Sequence, residues 1–563
     1  MTAVHPPASA QVLTNTDLLH CIFVFVPLPP DSRLRDSYLA QCAVVRRAFH
    51  EPAIRVLWRN LDSLLPLWHL LAPPNTPFPS SRDRIEGGRG VLSYLQKINS
   101  AQLYVDSTQW DRFLLHAAHV RGIVHSYDLS TRQTTSINEE TRFLIQSVIM
   151  RNGGSTVLPS LRTIECRGPF PCGDALIPFF TSTLRHATFD LRGYNEAAHI
   201  PFLRGLRESS PFLDKFVLFN FTRRDLNECP SPIIQELVCF PRLRELQVLQ
   251  ITEFEAFQAL VTMPNLTRLT VLEVTGPWAG LGHAISVRHL RELSVTGGPS
   301  AISNLFHLVR YQALKSAKIH LDSSEEVTVA PDELPAFLSL FYNAVSTSGL
   351  QSFKLELSSL RLPSEGDEPA LRDLVAPILP ICSLRSFNLD TVGNFSRVDD
   401  ADVEVLASAW PRLQRLYIHR GLDAQSSISF NALHCLYRHC PDLKELSIAR
   451  LRFPIIGVHS IPAPLDCSPP HPLQHLSVRN RETVAIATGR LGPELPDEHA
   501  EAMAMWLLDL FPRIGPRPYK RALGDSSSGS ERREGPLSGL RFSGRWIKVS
   551  GYIHAICSAS EGF

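Results

Sequence analysis

The residues with the clearest potential for chemistry lie in the segment HCLYRHC, which contains His434, Cys435, His439 and Cys440. Thiolates and imidazoles are preferred ligands of zinc, and residues four positions apart, such as Cys435 and His439, share one face of a helix. A structural zinc site, however, needs four converging ligands. Because the repeat pattern described below assigns Cys440 to the core, we expect a buried thiol here, with no metal and no cofactor.

Motifs of common catalytic sites are missing from the sequence. It contains no G-x-x-x-x-G-K-[ST], no G-x-G-x-x-G after a strand, no H-E-x-x-H and no G-x-S-x-G. The serine-rich segment 525–531 fits either a phosphorylation target or a flexible linker. We therefore expect no enzymatic activity from this chain.

The charge of the chain is balanced, with 56 basic and 55 acidic residues and a net charge of +1. Such a balance offers no global field that would hold nucleic acid or an anionic membrane, so neither is an expected partner. The longest apolar run, LLHCIFVFVPLP, is too short to span a bilayer. The 11 cysteines include no C-x-x-C pair, which favours reduced, buried thiols and a cytoplasmic or nuclear location.

A repeated frame, L-x-x-[LF]-x-[LIV], runs through most of the chain. Clear copies include PRLRELQV (241–248), PRLQRLYI (411–418) and PDLKELSI (441–448), and successive copies lie 23 to 36 residues apart. The first leucines of the twelve copies are Leu161, Leu184, Leu213, Leu243, Leu266, Leu290, Leu314, Leu350, Leu384, Leu413, Leu443 and Leu473. The spacing predicts one strand per copy, with an intervening return segment.

Helices can be predicted between some of these frames. The segments before the frames at 411 and 441 place Val403, Leu406 and Trp410, and then Leu433, Leu436 and Cys440, at helical spacing. The pattern resembles the cysteine-containing leucine-rich repeats of ubiquitin-ligase receptors. The resemblance implies an α/β solenoid with parallel strands on its concave face and helices on its convex face.

Residues between the leucines of each frame are expected on the exposed concave face, because side chains alternate along a strand. An apolar group of these positions predicts a recognition patch, and a mixed charged stripe follows on later strands. The residues that we predict to bind a target protein are Phe219, Leu249, Leu272, Arg415, Tyr417 and His419. The alternative is that an exposed strand face is simply polar, and that an insertion loop covers the apolar patch.

A different pattern occupies the N-terminus. In TNTDLLHCIFVFVP, Asn15 or Thr14 can cap a helix whose apolar face comprises Leu18, Leu19, Ile22, Phe23 and Val26. Residues 36–61 predict two more short helices, with Pro52 in the first turn of the second. Three short amphipathic helices are only marginally stable alone, so a partner that covers their apolar edge would stabilise them.

This N-terminal stretch resembles an F-box, the motif that docks substrate receptors onto the Skp-type adaptor of cullin-RING ubiquitin ligases. The resemblance rests on D-L-L-x-x-I-F from Asp17, C-x-x-V-x-R-x-F from Cys42 and L-W-R-x-L from Leu57. It implies that the following residues divide between the core and the adaptor surface: Leu18, Leu19, Ile22, Phe23, Val45, Phe49, Leu57 and Trp58. A helical hairpin that caps the repeats is the alternative.

The sequence thus predicts five regions. They are an F-box-like helical domain (1–70), a linker (71–90), a leucine-rich-repeat solenoid (91–515), a flexible segment (516–540) and a C-terminal cap (541–563). With the resemblance, this order implies a substrate-recognition subunit of a Skp-cullin-F-box ubiquitin ligase. Its expected partners are the adaptor, the cullin and an unknown target. The alternative is a repeat scaffold unconnected to ubiquitin.

Overall fold

The structure is a computed structural model of the chain. It describes residues 15–25, 32–73, 75–79, 89–101, 105–126, 134–167, 177–190, 196–219, 231–276, 278, 284–322, 333–357, 369–391, 398–419, 428–448, 471–478, 504–508 and 510–511. The predicted flexible segment and C-terminal cap lie outside these ranges, as do Thr14, Val26 and the serine-rich segment 525–531.

The N-terminus folds into three helices, called here the three-helix segment: α1 (Thr16–Phe25), α2 (Ser32–Val45) and α3 (Arg47–Leu57). Asn15 caps α1, because its Oδ1 accepts hydrogen bonds from the backbone N–H groups of Asp17 and Leu18, both at 3.0 Å. These bonds satisfy two of the backbone donors that a helix start leaves unpaired. The predicted cap is therefore present.

The core of the three-helix segment is small and apolar. Helix α3 packs against both α1 and α2. Phe23 of α1 and Phe49 of α3 pack edge to face, with ring centroids 5.9 Å apart. The buried members of the core are Leu19, Phe23, Leu39, Ala43, Ala53 and Val56.

Pro52 does not lie in the first turn of α3, as predicted, but in its middle. The helix begins five residues earlier, at Arg47, directly after α2. Proline inside a helix removes one backbone hydrogen bond. Here this cost is offset by packing, since the early start brings Phe49 onto the core next to buried Ala53 and Val56.

The chain divides into two compact units, and the first comprises residues 1–251 and 255–266. Its strands are β1 (Asn60–Leu61), β2 (Gly122–Ser126), β3 (Thr163–Arg167), β4 (His186–Asp190), β5 (Lys215–Phe219) and β6 (Glu245–Ile251). Each strand pairs in parallel with the next along the chain. Its further helices are α4 (Leu65–His69), α5 (Arg89–Ala101), α6 (Ser107–Ala117), α7 (Thr134–Arg151), α8 (Glu196–Ser209), α9 (Ser231–Val238) and, from Glu255 on, α10 (Phe254–Val261).

Two of these elements bear on the predicted regions. Strand β1 lies inside the range 1–70 that was predicted as helical, and it pairs with β2. Helix α5 begins at Arg89, inside the predicted linker. The three-helix segment thus runs directly into the first strand of the sheet, because α3 ends at Leu57 and β1 begins at Asn60.

The second unit comprises residues 252–254 and 267–563. Its main sheet is parallel, with the strands β7 (Arg268–Val274), β9 (Glu292–Gly297), β11 (Ser316–Leu321), β12 (Ser352–Leu357), β13 (Ser386–Thr391), β14 (Arg415–His419), β15 (Glu445–Ile448) and β16 (His475–Val478) in that order. A separate parallel pair is formed by β8 (Ile285–Val287) and β10 (Val309–Tyr311). The helices are α11 (Pro299–Leu308), α12 (Glu333–Val345), α13 (Leu371–Val375), α14 (Asp400–Ala409) and α15 (Phe430–His439).

Every one of the twelve predicted frames contains a parallel strand, so the repeat prediction is confirmed at the level of the fold. The first leucine of each frame is at most 1% exposed. Burial of a leucine side chain contributes about 1.5–3 kcal/mol, and the same contribution recurs in every repeat. Both units are therefore α/β stacks of parallel strands with helices between them, the arrangement of a leucine-rich repeat.

Candidate functional site

The cysteine and histidine side chains of HCLYRHC do not converge on one point. The Cys440 thiol is buried and lies 3.7 Å from the backbone oxygens of both Ala407 and Trp410. Burial raises the pKa of Cys440 to about 12, which keeps it a thiol at neutral pH. The ring of His434 stacks on Trp506 at 5.7 Å. Within the described ranges, no group of three or more histidine, cysteine, aspartate or glutamate side chains is arranged to hold a metal ion.

The predicted adaptor-binding residues fall into three classes of exposure. Leu19 and Phe23 are core residues, whereas Leu18, Ile22 and Val45 are exposed. Phe49, Leu57 and Trp58 are half-buried. The single apolar face predicted for the first helix is therefore two adjacent faces, one packed inward and one open to solvent.

The solvent-facing side of α1 is a continuous apolar stripe. Leu18 is 46% exposed, Ile22 41% and Phe25 80%. Their positions i, i+4 and i+7 align on one helix face. On α2, Tyr38 is 50% exposed, Val44 82% and Val45 73%. The six residues together are called here the apolar surface of the three-helix segment. The sequence prediction missed Phe25, although its spacing of seven from Leu18 was a usable signal.

The end of the three-helix segment contacts helix α6 of the same unit through an aromatic stack. The indole ring of Trp58 stacks on the imidazole of His116 in α6, with centroids 4.5 Å apart and planes 18° apart. Burial lowers the pKa of His116 to about 4, with a smaller contribution from the nearby charge of Arg112. His116 is therefore neutral at physiological pH. The Trp58 ring packs against this neutral imidazole.

Arg415, Tyr417 and His419 lie together on β14, on the strand face that carries the residues between the leucines. We call it the exposed strand face. The register places Arg415 between Ser386 and Glu445. The Tyr417 hydroxyl donates a hydrogen bond to the Glu445 carboxylate, and the ring of Tyr417 lies 6.0 Å from that of His419. The three residues therefore form one local surface, as their alternation in sequence predicts.

A charged cluster occupies the same face on the preceding strands. The carboxylate of Glu356 lies 2.5 Å from Lys354 Nζ, 3.4 Å from Lys318 Nζ and 3.8 Å from His320 Nδ1. Burial alone would raise the pKa of Glu356, but the hydrogen bond from Lys354 and the surrounding positive charges lower it overall. Glu356 thus neutralises part of the positive charge on this face.

At one of its positions, Leu249, the predicted apolar patch differs from the structure. Leu249 is 6% exposed and belongs to the core. The strict alternation of β6 breaks at this point, where both Val248 and Leu249 are buried. Leu272 is half-buried, and the side chain of Phe219 lies outside the described part of the chain. The expectation that Leu249 faces solvent was wrong, because burial along β6 does not alternate strictly between the two faces.

No protein-family model matches the chain, and no curated protein matches it. Among solved structures, it is similar to a leucine-rich-repeat protein of Leptospira interrogans, at 12% identity and a TM-score of 0.22. That similarity covers 62% of this chain and 81% of the other. Among the described helices, none is both long and apolar enough to cross a membrane. The repeat architecture rests on the strands and buried leucines of the chain itself.

Proposed function

We propose that this protein is a substrate-recognition subunit of a Skp-cullin-F-box type ubiquitin ligase. The observation that carries the proposal is the apolar surface of the three-helix segment, which stands on its own small core and leads into parallel-strand repeats. The resemblance of residues 17–61 to an F-box gives the chemistry of the expected partner, the Skp-type adaptor.

The apolar surface calls for a covering partner. Six large apolar side chains on two short helices are between 41% and 82% exposed. Exposed apolar residues that occur singly are ordinary, but several at helical spacing mark interaction sites. A partner that buried the α1 stripe alone would gain about 1–2 kcal/mol for each of Leu18, Ile22 and Phe25. Such a gain would offset part of the entropy cost of association, and the rest of an adaptor interface would have to supply the remainder.

The exposed strand face is the surface that we assign to the target protein. Arg415 and Tyr417 are of the residue types enriched among interface anchors, and both lie on one strand. With the charged cluster around Glu356, they give a mixed polar surface. In this function the protein supplies proximity and orientation to ubiquitin transfer that other subunits catalyse, so no catalytic residue is required in this chain.

A second function is favoured by one specific observation. The three-helix segment continues into β1, which pairs with β2, and Trp58 stacks on His116. A segment joined in this way also serves as the cap that a repeat array needs at its end. In that case the protein is a leucine-rich-repeat scaffold for protein partners, unconnected to ubiquitin.

The two functions are separated by mixing the purified full-length chain with a purified Skp-type adaptor and with the adaptor–cullin complex. The ligase function predicts co-elution in size-exclusion chromatography and a saturable affinity by calorimetry. A chain that is folded by circular dichroism but forms no complex at about 10 μM of each protein would leave only the scaffold function.

A further inference from the structure

A cavity of about 330 Å³ lies at the junction between the three-helix segment and the first strands of the first unit. Its lining combines an apolar wall with a group of arginines and two small polar side chains. The lining residues are Val24, Val56, Arg59, Asn60, Arg121, Arg162 and Thr163. None of these residues belongs to the apolar surface of the three-helix segment or to the exposed strand face of the second unit.

The three arginines occupy equivalent positions, each directly before a strand. Arg59 precedes β1, Arg121 precedes β2 and Arg162 precedes β3. The backbone oxygen of Arg59 accepts from Arg121 N at 2.8 Å, and that of Arg121 accepts from Arg162 N at 2.7 Å. Neighbouring parallel strands are about 4.8 Å apart. The backbone positions of the three arginines therefore form a ladder that spans about 10 Å across the sheet.

Within the described part of the chain, no carboxylate forms an ion pair with Arg59, Arg121 or Arg162. The next arginine of the ladder differs, because Arg185 lies 4.0 Å from Asp214 and donates to backbone oxygens. Burial lowers the pKa of Arg121, and the charges of Arg59 and Arg162 lower it further, so the three arginines repel one another. An anion in the cavity would relieve this repulsion.

We propose that this arginine cavity is a binding site for a phosphoryl group. Each guanidinium group carries several N–H donors in a fork geometry. A carboxylate has only two oxygens and one charge, so it cannot pair with all the donors of three arginines. A phosphoryl dianion has three terminal oxygens and two negative charges, so it can pair with more of these donors and charges than a carboxylate can. Asn60 and Thr163 add neutral polar groups at the rim.

The apolar wall shapes the rest of the ligand. Val56 is buried and Val24 half-buried, so one side of the cavity offers hydrocarbon contact. This favours a phosphoryl group that is carried by a small organic body over inorganic phosphate alone. Because Val24 belongs to α1 and Val56 to α3, a bound ligand would also join the three-helix segment to the strands.

The test uses the full-length chain in a phosphate-free buffer of constant ionic strength. Isothermal titration calorimetry is run with inorganic phosphate, phenyl phosphate and benzoate. We expect saturable binding of both phosphate compounds and none of benzoate in the same concentration range. Tighter binding of phenyl phosphate identifies an organic phosphate as the source, and equal binding identifies free phosphate, so each result supports the phosphoryl site.

Three variants locate the site. Arg121→Gln, at the centre of the ladder, and Arg162→Gln, at its exposed end, should each weaken phenyl phosphate binding about tenfold or more. The matched control is Arg142→Gln, which removes one exposed arginine from α7 in the same unit. It should bind like the wild type. Melting curves without phosphate establish that each variant is folded.

Two outcomes would overturn the proposal. One is a lack of selective binding by the folded wild type, seen either as no saturable phosphate binding up to about 10 mM or as equal binding of benzoate. The other is an equal loss of affinity in Arg121→Gln, Arg162→Gln and Arg142→Gln. The loss would then come from the change in net charge and not from a local site. Arg162→Gln keeps the test decisive even where Arg121→Gln fails to fold, because the Arg162 side chain is exposed.

Discussion

The most informative perturbation of the proposed adaptor-docking surface is the double variant Leu18→Asp, Ile22→Asp. Both side chains are already in solvent, at 46% and 41% exposure, so neither contributes much to the core. Buried Leu19 and Phe23 would be the wrong targets, because charges there would unfold the three-helix segment and remove binding indirectly. The exposed pair therefore separates docking from folding.

The size of the effect follows from the burial that docking would add. Full burial of a leucine or isoleucine side chain is worth about 1.5–3 kcal/mol, and nearly half of each remains to be buried, which gives about 1 kcal/mol for each residue. Two aspartates in an apolar interface add a desolvation cost of at least about 2 kcal/mol. The sum is about 4 kcal/mol, or roughly a thousandfold rise in Kd.

The assay is calorimetric titration of the full-length chain with the purified Skp-type adaptor. A matched control is Leu115→Asp, Phe143→Asp, since these side chains are 60% and 58% exposed on other helices of the first unit. The control should bind like the wild type, and both double variants should lose less than about 1 kcal/mol of stability in urea. An adaptor affinity that is unchanged by the Leu18 and Ile22 substitutions would refute the assignment of this surface.

Three further predictions concern stability. Because burial holds the folded-state pKa of His116 near 4, below the ordinary 6.5, its contribution to stability is complete above pH 6.5 and is lost as the pH falls toward 4. His116→Gln should remove about 1–2 kcal/mol of that pH dependence, after allowance for solvent screening, in urea unfolding at pH 7 and pH 5. Gly276 has φ +124°, and a Cβ there would lie 2.5 Å from the backbone oxygen of Thr252. Gly276→Ala should therefore cost about 2 kcal/mol or more, and a thermal melt identical to wild type would contradict the described backbone. Leu413→Ala, at a fully buried frame position, should cost about 3–5 kcal/mol in chemical unfolding, and a loss below 1 kcal/mol would mean that the frame leucine is not a core residue.

Local pattern was sufficient to predict the repeats, because each repeat buries the same positions. Leu413 and Leu443 are both 0% exposed, and the strands that follow them pair in parallel as expected. The helices before these frames were also predictable, since Leu406 and Leu433 recur at helical spacing and are buried. In a repeat, each unit contacts mainly its neighbours, so local sequence carries most of the information.

The exposed surfaces were predictable only in part, because exposure depends on contacts that the local pattern does not specify. Leu18 and Leu19 are adjacent and equally apolar, and only the packing of α3 decides that one is core and the other surface. Leu249 follows the alternation of its strand in sequence but is buried. Tertiary packing overrides alternation at such positions.

The arginine cavity could not be predicted from sequence spacing at all, since Arg59, Arg121 and Arg162 become neighbours only through the register of β1, β2 and β3. The position of this cavity bears on the orientation of the three-helix segment. Helix α3 ends at Leu57 and β1 begins at Asn60, so the orientation of the three-helix segment depends on few connecting residues and on the Trp58–His116 stack. The proposed ligase function acts through proximity, so it requires a fixed orientation between the three-helix segment and the repeats that follow. A phosphoryl ligand held by Arg59, next to Val24 and Val56, would add contacts on both sides of that connection, so adaptor docking and anion binding should favour each other.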